Sequence, residues 1–104
     1  MEKINLEKAR LGGAQLTGAN LANSNLRGAH LSSTNLDGTN LEGAYLNKAK
    51  LDSATLIGAN LKGVDFSGAD LSEANFSESD CSGAKFVDAI MVDTNFTNVI
   101  GLNI

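Results

Sequence analysis

Residues 16–46 read LTGANLANSNLRGAHLSSTNLDGTNLEGAYL, and in this stretch leucine returns at every fifth position without exception. Working outward, the same register holds leucine twelve times in succession from Leu6 to Leu61, then continues through Phe66, Leu71, Phe76, Cys81, Phe86, Met91 and Phe96. Nineteen uninterrupted units thus fill almost all of a 104-residue chain. The residue two places before each centre is Ala in twelve of the nineteen units, and the residue one place before is Asn or Asp in eleven. Two places after the centre stands Gly in nine units, from Gly13 to Gly83.

A period of five fits neither of the common elements. On an α-helix each step of five advances about 140° net, which scatters the centres around the circumference and leaves no apolar stripe. In a flat strand the side-chain period is two, so an odd spacing sends alternate leucines to opposite faces. What remains is a chain that turns once per unit and points every centre at a common axis, so that successive coils stack and the leucines form one continuous core. The corner chemistry agrees, because Gly two places after the centre suits a type II turn, whose third residue needs positive φ. Asn or Asp before the centre suits hydrogen bonding to nearby backbone at a bend. Four corners carry Glu73, Glu78, Asp88 or Asp93 where others carry Gly, and the expectation is a different turn type there.

These A-[DN]-L-x-x units resemble the pentapeptide repeat family over about Ile4 to Asn98. The resemblance implies an all-β fold: a right-handed, quadrilateral parallel β-helix, a solenoid with twenty residues per coil and about five coils. Residues 1–104 then form a single domain, since the unbroken register leaves no linker. At about 4.8 Å per coil the rod would be roughly 24 Å long. Phe66 and Phe86 lie twenty residues apart, as do Phe76 and Phe96, so each pair would stack on one side and face the other pair across the core.

Composition narrows the function classes. No apolar run approaches the length of a membrane span, and Met1 leads almost directly into the repeats with no secretory signal ahead of it, so a cytoplasmic setting is expected. Cys81, the one cysteine, holds a central position and reads as a small core residue. Charge is unevenly spread: residues 1–62 carry a net +2 and residues 63–104 a net −6. The acidic half, with Asp65, Asp70, Glu73, Glu78, Asp80, Asp88 and Asp93, is a candidate partner-facing surface. It would repel nucleic acid, which is not expected as a partner.

Chemistry is sparse. His30 is the only histidine, so neither a multi-histidine metal site nor an extended His-based constellation can be assembled. The Asn and Asp spacing lacks the Gly-Gly-x-Gly-x-Asp pattern of calcium-binding β-helices, and Gly12–Gly13 is followed by no phosphate-loop lysine. No catalytic residue, cofactor, metal or small-molecule site is expected, and the chain reads as a non-enzyme. Winding with four sides would align Arg10, His30 and Lys50 in a short basic column ending at Asp70, and Asn20, Asn40, Asn60 and Asp80 in a polar ladder.

Two functions are consistent with this pattern. One is a structural or protein-interaction solenoid whose partner the sequence does not name, like many short family members abundant in cyanobacteria. The other, implied by the resemblance, is a DNA-mimicking rod that inhibits or protects a type II topoisomerase, gyrase. Outward positions that are polar elsewhere turn apolar at Val87, Ile90 and Val92, and Val99, Ile100, Leu102 and Ile104 follow. This cluster predicts homodimerisation through the C-terminal coil, with a folded-back monomeric lid as the competing arrangement.

Overall fold

A computed structural model describes residues 3–104, and its backbone bridges show how the period of five closes into a tube. Each bridge is parallel and joins a residue to the one twenty places on, as in Asn5 to Asn25, Asn25 to Tyr45, Tyr45 to Asp65 and Asp65 to Lys85. Three further columns run beside that one: Arg10, His30, Lys50, Asp70, Ile90; Gln15, Asn35, Thr55, Asn75, Asn95; and Asn20, Asn40, Asn60, Asp80, Ile100. One coil is therefore twenty residues with four sides. Each side contributes a single bridged residue, so the sides are short ladder rungs and not extended strands. The longest dimension is 28 Å, against 23 and 22 Å across.

The backbone of one unit, residues 25–29, shows where every N–H goes. Asn25 N–H donates to the Ile4 carbonyl of the preceding coil at 2.8 Å, while Leu26 and Gly28 donate forward to the carbonyls of Tyr45 and Asn47 at 2.8 and 2.9 Å. Ala29 N–H closes the corner on the Leu26 carbonyl at 3.0 Å. The fifth, Arg27 N–H, has no ladder partner and is taken by the side-chain Oδ1 of Asn25 at 3.1 Å. All eleven Asn and Asp residues at the position before the centre do the same for the N–H two residues on, at 2.9–3.2 Å. That explains the amino-acid preference: a short side chain carrying an acceptor completes the backbone accounting at the bend.

Inside, central residues and small residues alternate. Leu26 to Leu71, Phe66 and Phe76 are buried with the alanines between them, whereas Leu6, Leu11 and Leu16 in the first coil and Met91 and Phe96 in the last are half-buried. The phenylalanines stack as the spacing predicts. Phe66 and Phe86 lie 5.2 Å apart and nearly parallel at 13°, Phe76 and Phe96 are 5.2 Å apart, and Phe66 meets Phe76 edge-on across the core at 5.5 Å. Threonine hydroxyls at the small position bond back to carbonyls, as Thr34 does to Leu11 at 3.0 Å and Thr39 to Leu36 at 2.8 Å, whereas Ser79 Oγ lies against Cys81 Sγ and Ser24 Oγ is buried without a partner.

The expected change of turn type in the C-terminal half does not occur. Residues two after the centre adopt positive φ whether they are glycine, such as Gly43 at 71°, or not, and Glu73, Glu78, Asp88 and Asp93 lie between 57° and 62°. The Glu73, Glu78 and Asp88 corners also close with the same hydrogen bond, donated by Ala74, Ser79 and Ala89 N–H to Leu71, Phe76 and Phe86 at 3.0–3.1 Å. The ladder needs the corner in one geometry to keep coils in register, and this overrides a residue preference of about 1–2 kcal/mol. Eleven non-glycine residues accept that cost. Glu73→Gly should therefore stabilise the protein by about 0.5–1 kcal/mol, the relieved strain being partly offset by glycine's larger unfolded-state entropy. A urea midpoint at or below that of the parent chain would contradict it.

Candidate functional site

With core and backbone committed to the tube, the residues left to act are those on its outside, and the winding decides which of them meet. The seven acidic residues of the C-terminal half do not share a face. Asp65 and Asp70 occupy adjacent sides and Asp80 a third, while Glu73 and Asp93 stack one coil apart at one corner and Glu78 and Asp88 stand at two others. Three of them serve the backbone, since Asp65, Asp70 and Asp80 accept the N–H groups of Ser67, Ser72 and Ser82 at 3.0 Å. Burial pushes the Asp65 carboxyl up, but the Ser67 hydroxyl and N–H, the Asn47 amide and the Lys85 ammonium together hold it below its ordinary value. For Asp80 the Ser82 hydroxyl and N–H lower it against slight desolvation, with help from Lys62 at 3.9 Å.

The apolar residues of the last coil divide in two. Val99 and Leu102 are partly buried against the core, whereas Val87, Ile90, Val92, Ile100 and Ile104 are between 51% and 68% exposed. The segment after Ile100 thus covers part of the coil through Leu102 and leaves a cleft of about 430 Å³ between Asn103–Ile104 and the Phe86, Val87 and Met91 side chains, with Lys85 beside it. Ile100 still bridges Asp80, and the chain leaves the register at Gly101, where an added Cβ would fall 2.8 Å from the Ser82 Cα. Cys81 is buried beside Ser79, 3.5 Å away, and burial followed by the nearby Asp80 charge pushes its thiol pKa up, which suits a core residue.

On the N-terminal half the expected basic column is present, Arg10, His30 and Lys50 being bridged in successive coils. The corner beside it adds Lys8, Arg27 and Lys48, which line a groove of about 320 Å³ with Glu7, Gly28 and Asn47. Applying the twenty-residue register to corner positions as well as to sides was the signal that would have found this second column. The Asn ladder forms in part: Asn60 Nδ2 donates to Asn40 Oδ1 at 3.3 Å and to Glu42 Oε1 at 3.2 Å. Among the described residues no group of three or more His, Cys, Asp and Glu is disposed to hold a metal, and no helix is long and apolar enough to cross a membrane.

A four-sided tube of stacked five-residue units, with alanine and leucine inside and Asx-capped corners, defines a β-helical solenoid of the repeat type. The chain belongs to the pentapeptide repeat family, whose profile matches eight copies over residues 2–36, 24–63 and 65–100. Similar solved structures include the pentapeptide repeat protein Rfr23 from the cyanobacterium Cyanothece 51142, at 24% identity and TM-score 0.60, covering 78% of this chain and 63% of that one. A pentapeptide repeat protein from the Arabidopsis thaliana thylakoid lumen is 28% identical with TM-score 0.54, covering 91% of this chain and 59% of its own. QnrB1, a plasmid-mediated fluoroquinolone resistance protein, is 19% identical with TM-score 0.49, covering 94% of this chain and 60% of its own. This chain thus spans about three-fifths of the length of these structures. No curated protein matches the sequence.

The lowered carboxyls give a testable pH dependence. A folded-state pKa below the unfolded value of about 3.9 contributes stability above that pH and loses it as pH falls through the folded value. Urea midpoints for the parent chain should therefore hold down to about pH 4 and fall below it. An Asp65→Asn, Asp80→Asn double variant should fall less steeply over the same acid range, and an identical decline would show that these carboxyls do not carry the dependence.

Proposed function

We propose that the chain is a non-enzymatic interaction scaffold, a right-handed rod of five coils that presents outward side chains to a protein partner in the cytoplasm. The observation that carries this reading is the division of labour along the tube. Inward positions repeat from coil to coil, whereas outward side positions that do not carry the Asn or Asp acceptor vary, as Arg10, His30, Lys50 and Ile90 do along one column. Variation confined to rigidly spaced outward positions is what a recognition surface needs, and it supplies no convergent set of acid, base and nucleophile. The second reading, an acidic DNA mimic acting on gyrase, draws on the seven carboxylates of the last two coils. Their spread over three sides and three corners suits a partner that surrounds the rod, but the basic groups of the first three coils oppose it.

Pull-down from a bacterial lysate followed by a gyrase supercoiling assay tests both. Recovery of one stoichiometric protein other than gyrase, with supercoiling unaffected, is the expected result; inhibition or quinolone protection by the purified chain would replace the scaffold reading with the DNA-mimic one.

Self-association through the C-terminal coil belongs to the same proposal. In the last coil Val87, Ile90 and Val92 are exposed on and beside one side, Ile100 on the opposite side and Ile104 beyond it; a second copy meeting this end of the tube would cover them, while Val99 and Leu102 pack against the core. Light scattering after size exclusion should give a dimer mass for the parent chain and a monomer mass for the Ile90→Lys, Ile100→Lys double variant. A monomer at every concentration for the parent chain would leave only the partial lid formed by Leu102.

A further inference from the structure

Five of the eight Lys and Arg residues, Lys8, Arg10, Arg27, Lys48 and Lys50, lie on one corner and the side next to it, all within the first three coils. Among the described residues none of them is ion-paired, although the chain has twelve carboxylates to offer and Lys62 does pair with Asp80. A concentration of unpaired cations on a protein of net charge −4 raises the local potential in one place only.

The corner has a shape as well as a charge. Lys8, Gly28 and Lys48 follow one another at one-coil intervals, each tied forward by its backbone N–H to Arg27, Asn47 and Ser67. Gly28 has no side chain to fill the space between the two lysines, and the Lys8 stem leans over it, its Cγ 3.3 Å from where a Cβ would stand. The result is the groove of about 320 Å³. Arg27 at its wall is held by two contacts: its guanidinium lies 4.2 Å over the Tyr45 ring and Nη1 donates to Asn25 Oδ1 at 3.3 Å. Glu7, the one carboxylate of the lining, is drawn to the Asn25 amide at 3.5 Å. A preset planar guanidinium with ammonium groups on either side suits phosphate oxygens.

The same two columns also limit the ligand. Beyond Lys50 the side carries Asp70, and beyond Lys48 the corner runs through Gly68 to Asp88. Cations thus span two coil steps, about 10 Å, before the sign reverses. A long polyanion laid along the rod would meet those carboxylates, whereas a ligand of two or three linked phosphates ends before them. We propose that the groove at Gly28 binds a short oligophosphate, either free or as the phosphate tail of a nucleotide. This goes beyond the scaffold reading and does not depend on it.

Calorimetric titration at low salt with tripolyphosphate, ATP, orthophosphate and a long thymidine oligonucleotide tests the assignment. Tripolyphosphate should bind saturably and about tenfold more tightly than orthophosphate, with affinity falling as salt is added. Equal affinity for ATP identifies the phosphate chain as the whole epitope, and tighter binding of ATP assigns the source to a nucleotide. A Lys8→Gln, Lys48→Gln double variant should lose about tenfold, whereas Lys62→Gln, Lys85→Gln, which removes the same charge elsewhere, should change affinity by less than about twofold. Absence of saturable tripolyphosphate binding, equal losses in the two variants, or tighter binding of the oligonucleotide than of tripolyphosphate would each overturn the proposal. Unchanged circular dichroism of both variants, whose substituted side chains are exposed, excludes misfolding as the cause of a loss.

Discussion

The hydrogen bond from the small inward residue back to the carbonyl of the preceding centre, made in nearly every unit, is the interaction on which the rest depends. It bends the chain through one corner every five residues, and it forms only if the residue before the small one takes positive φ. Once the corner is set, the centre must face inward, the residue before it must face outward, and the two N–H groups on either side of the bend point along the axis into the next coil. One local bond thus determines burial, column register and ladder pairing together. Its demands exceed residue preference, which is why Lys8, Ser53 and Asp93 occupy a left-handed conformation that glycine would adopt more readily.

This rigidity separates what was legible in the amino-acid sequence from what was not. Leucine at intervals of five excluded helix and flat sheet by elementary geometry, and the twenty-residue separations of Phe66 from Phe86 and Phe76 from Phe96 anticipated the stacked rings. The corners of Glu73 and Asp88 were misread because side-chain chemistry reports an intrinsic preference, whereas the fold imposes a cooperative one. The outside was harder to read for a different reason. Charge counted along the chain joins neighbours in sequence, but winding sends consecutive units to different sides, so a run such as Asp65, Asp70 and Asp80 is spread around the tube. Conversely, Lys8 and Lys48 stand forty positions apart and share one groove.

The outside also shows how function can change on a scaffold that cannot. Core positions tolerate little because each side chain is packed above, below and across. An outward residue on the side column has its backbone satisfied whatever its side chain, except where Asn or Asp supplies the bend with an acceptor. Columns such as Arg10 to Ile90 can therefore alter charge and size with small energetic consequences. The repeat supplies spacing, and the substitutions supply meaning.

The ladder is not symmetric along the axis. In each unit two N–H groups point toward the following coil and one toward the preceding coil, as Leu26, Gly28 and Asn25 illustrate. The rim facing the C-terminal side is consequently rich in donors, and the rim facing the N-terminal side is rich in acceptors. Two tubes meeting by like rims would face an excess of donors or of acceptors, so such a contact leans more heavily on side chains. Main-chain pairing is complete between unlike rims alone, which gives the tube a preferred direction of growth, much as a magnet favours another pole to opposite pole.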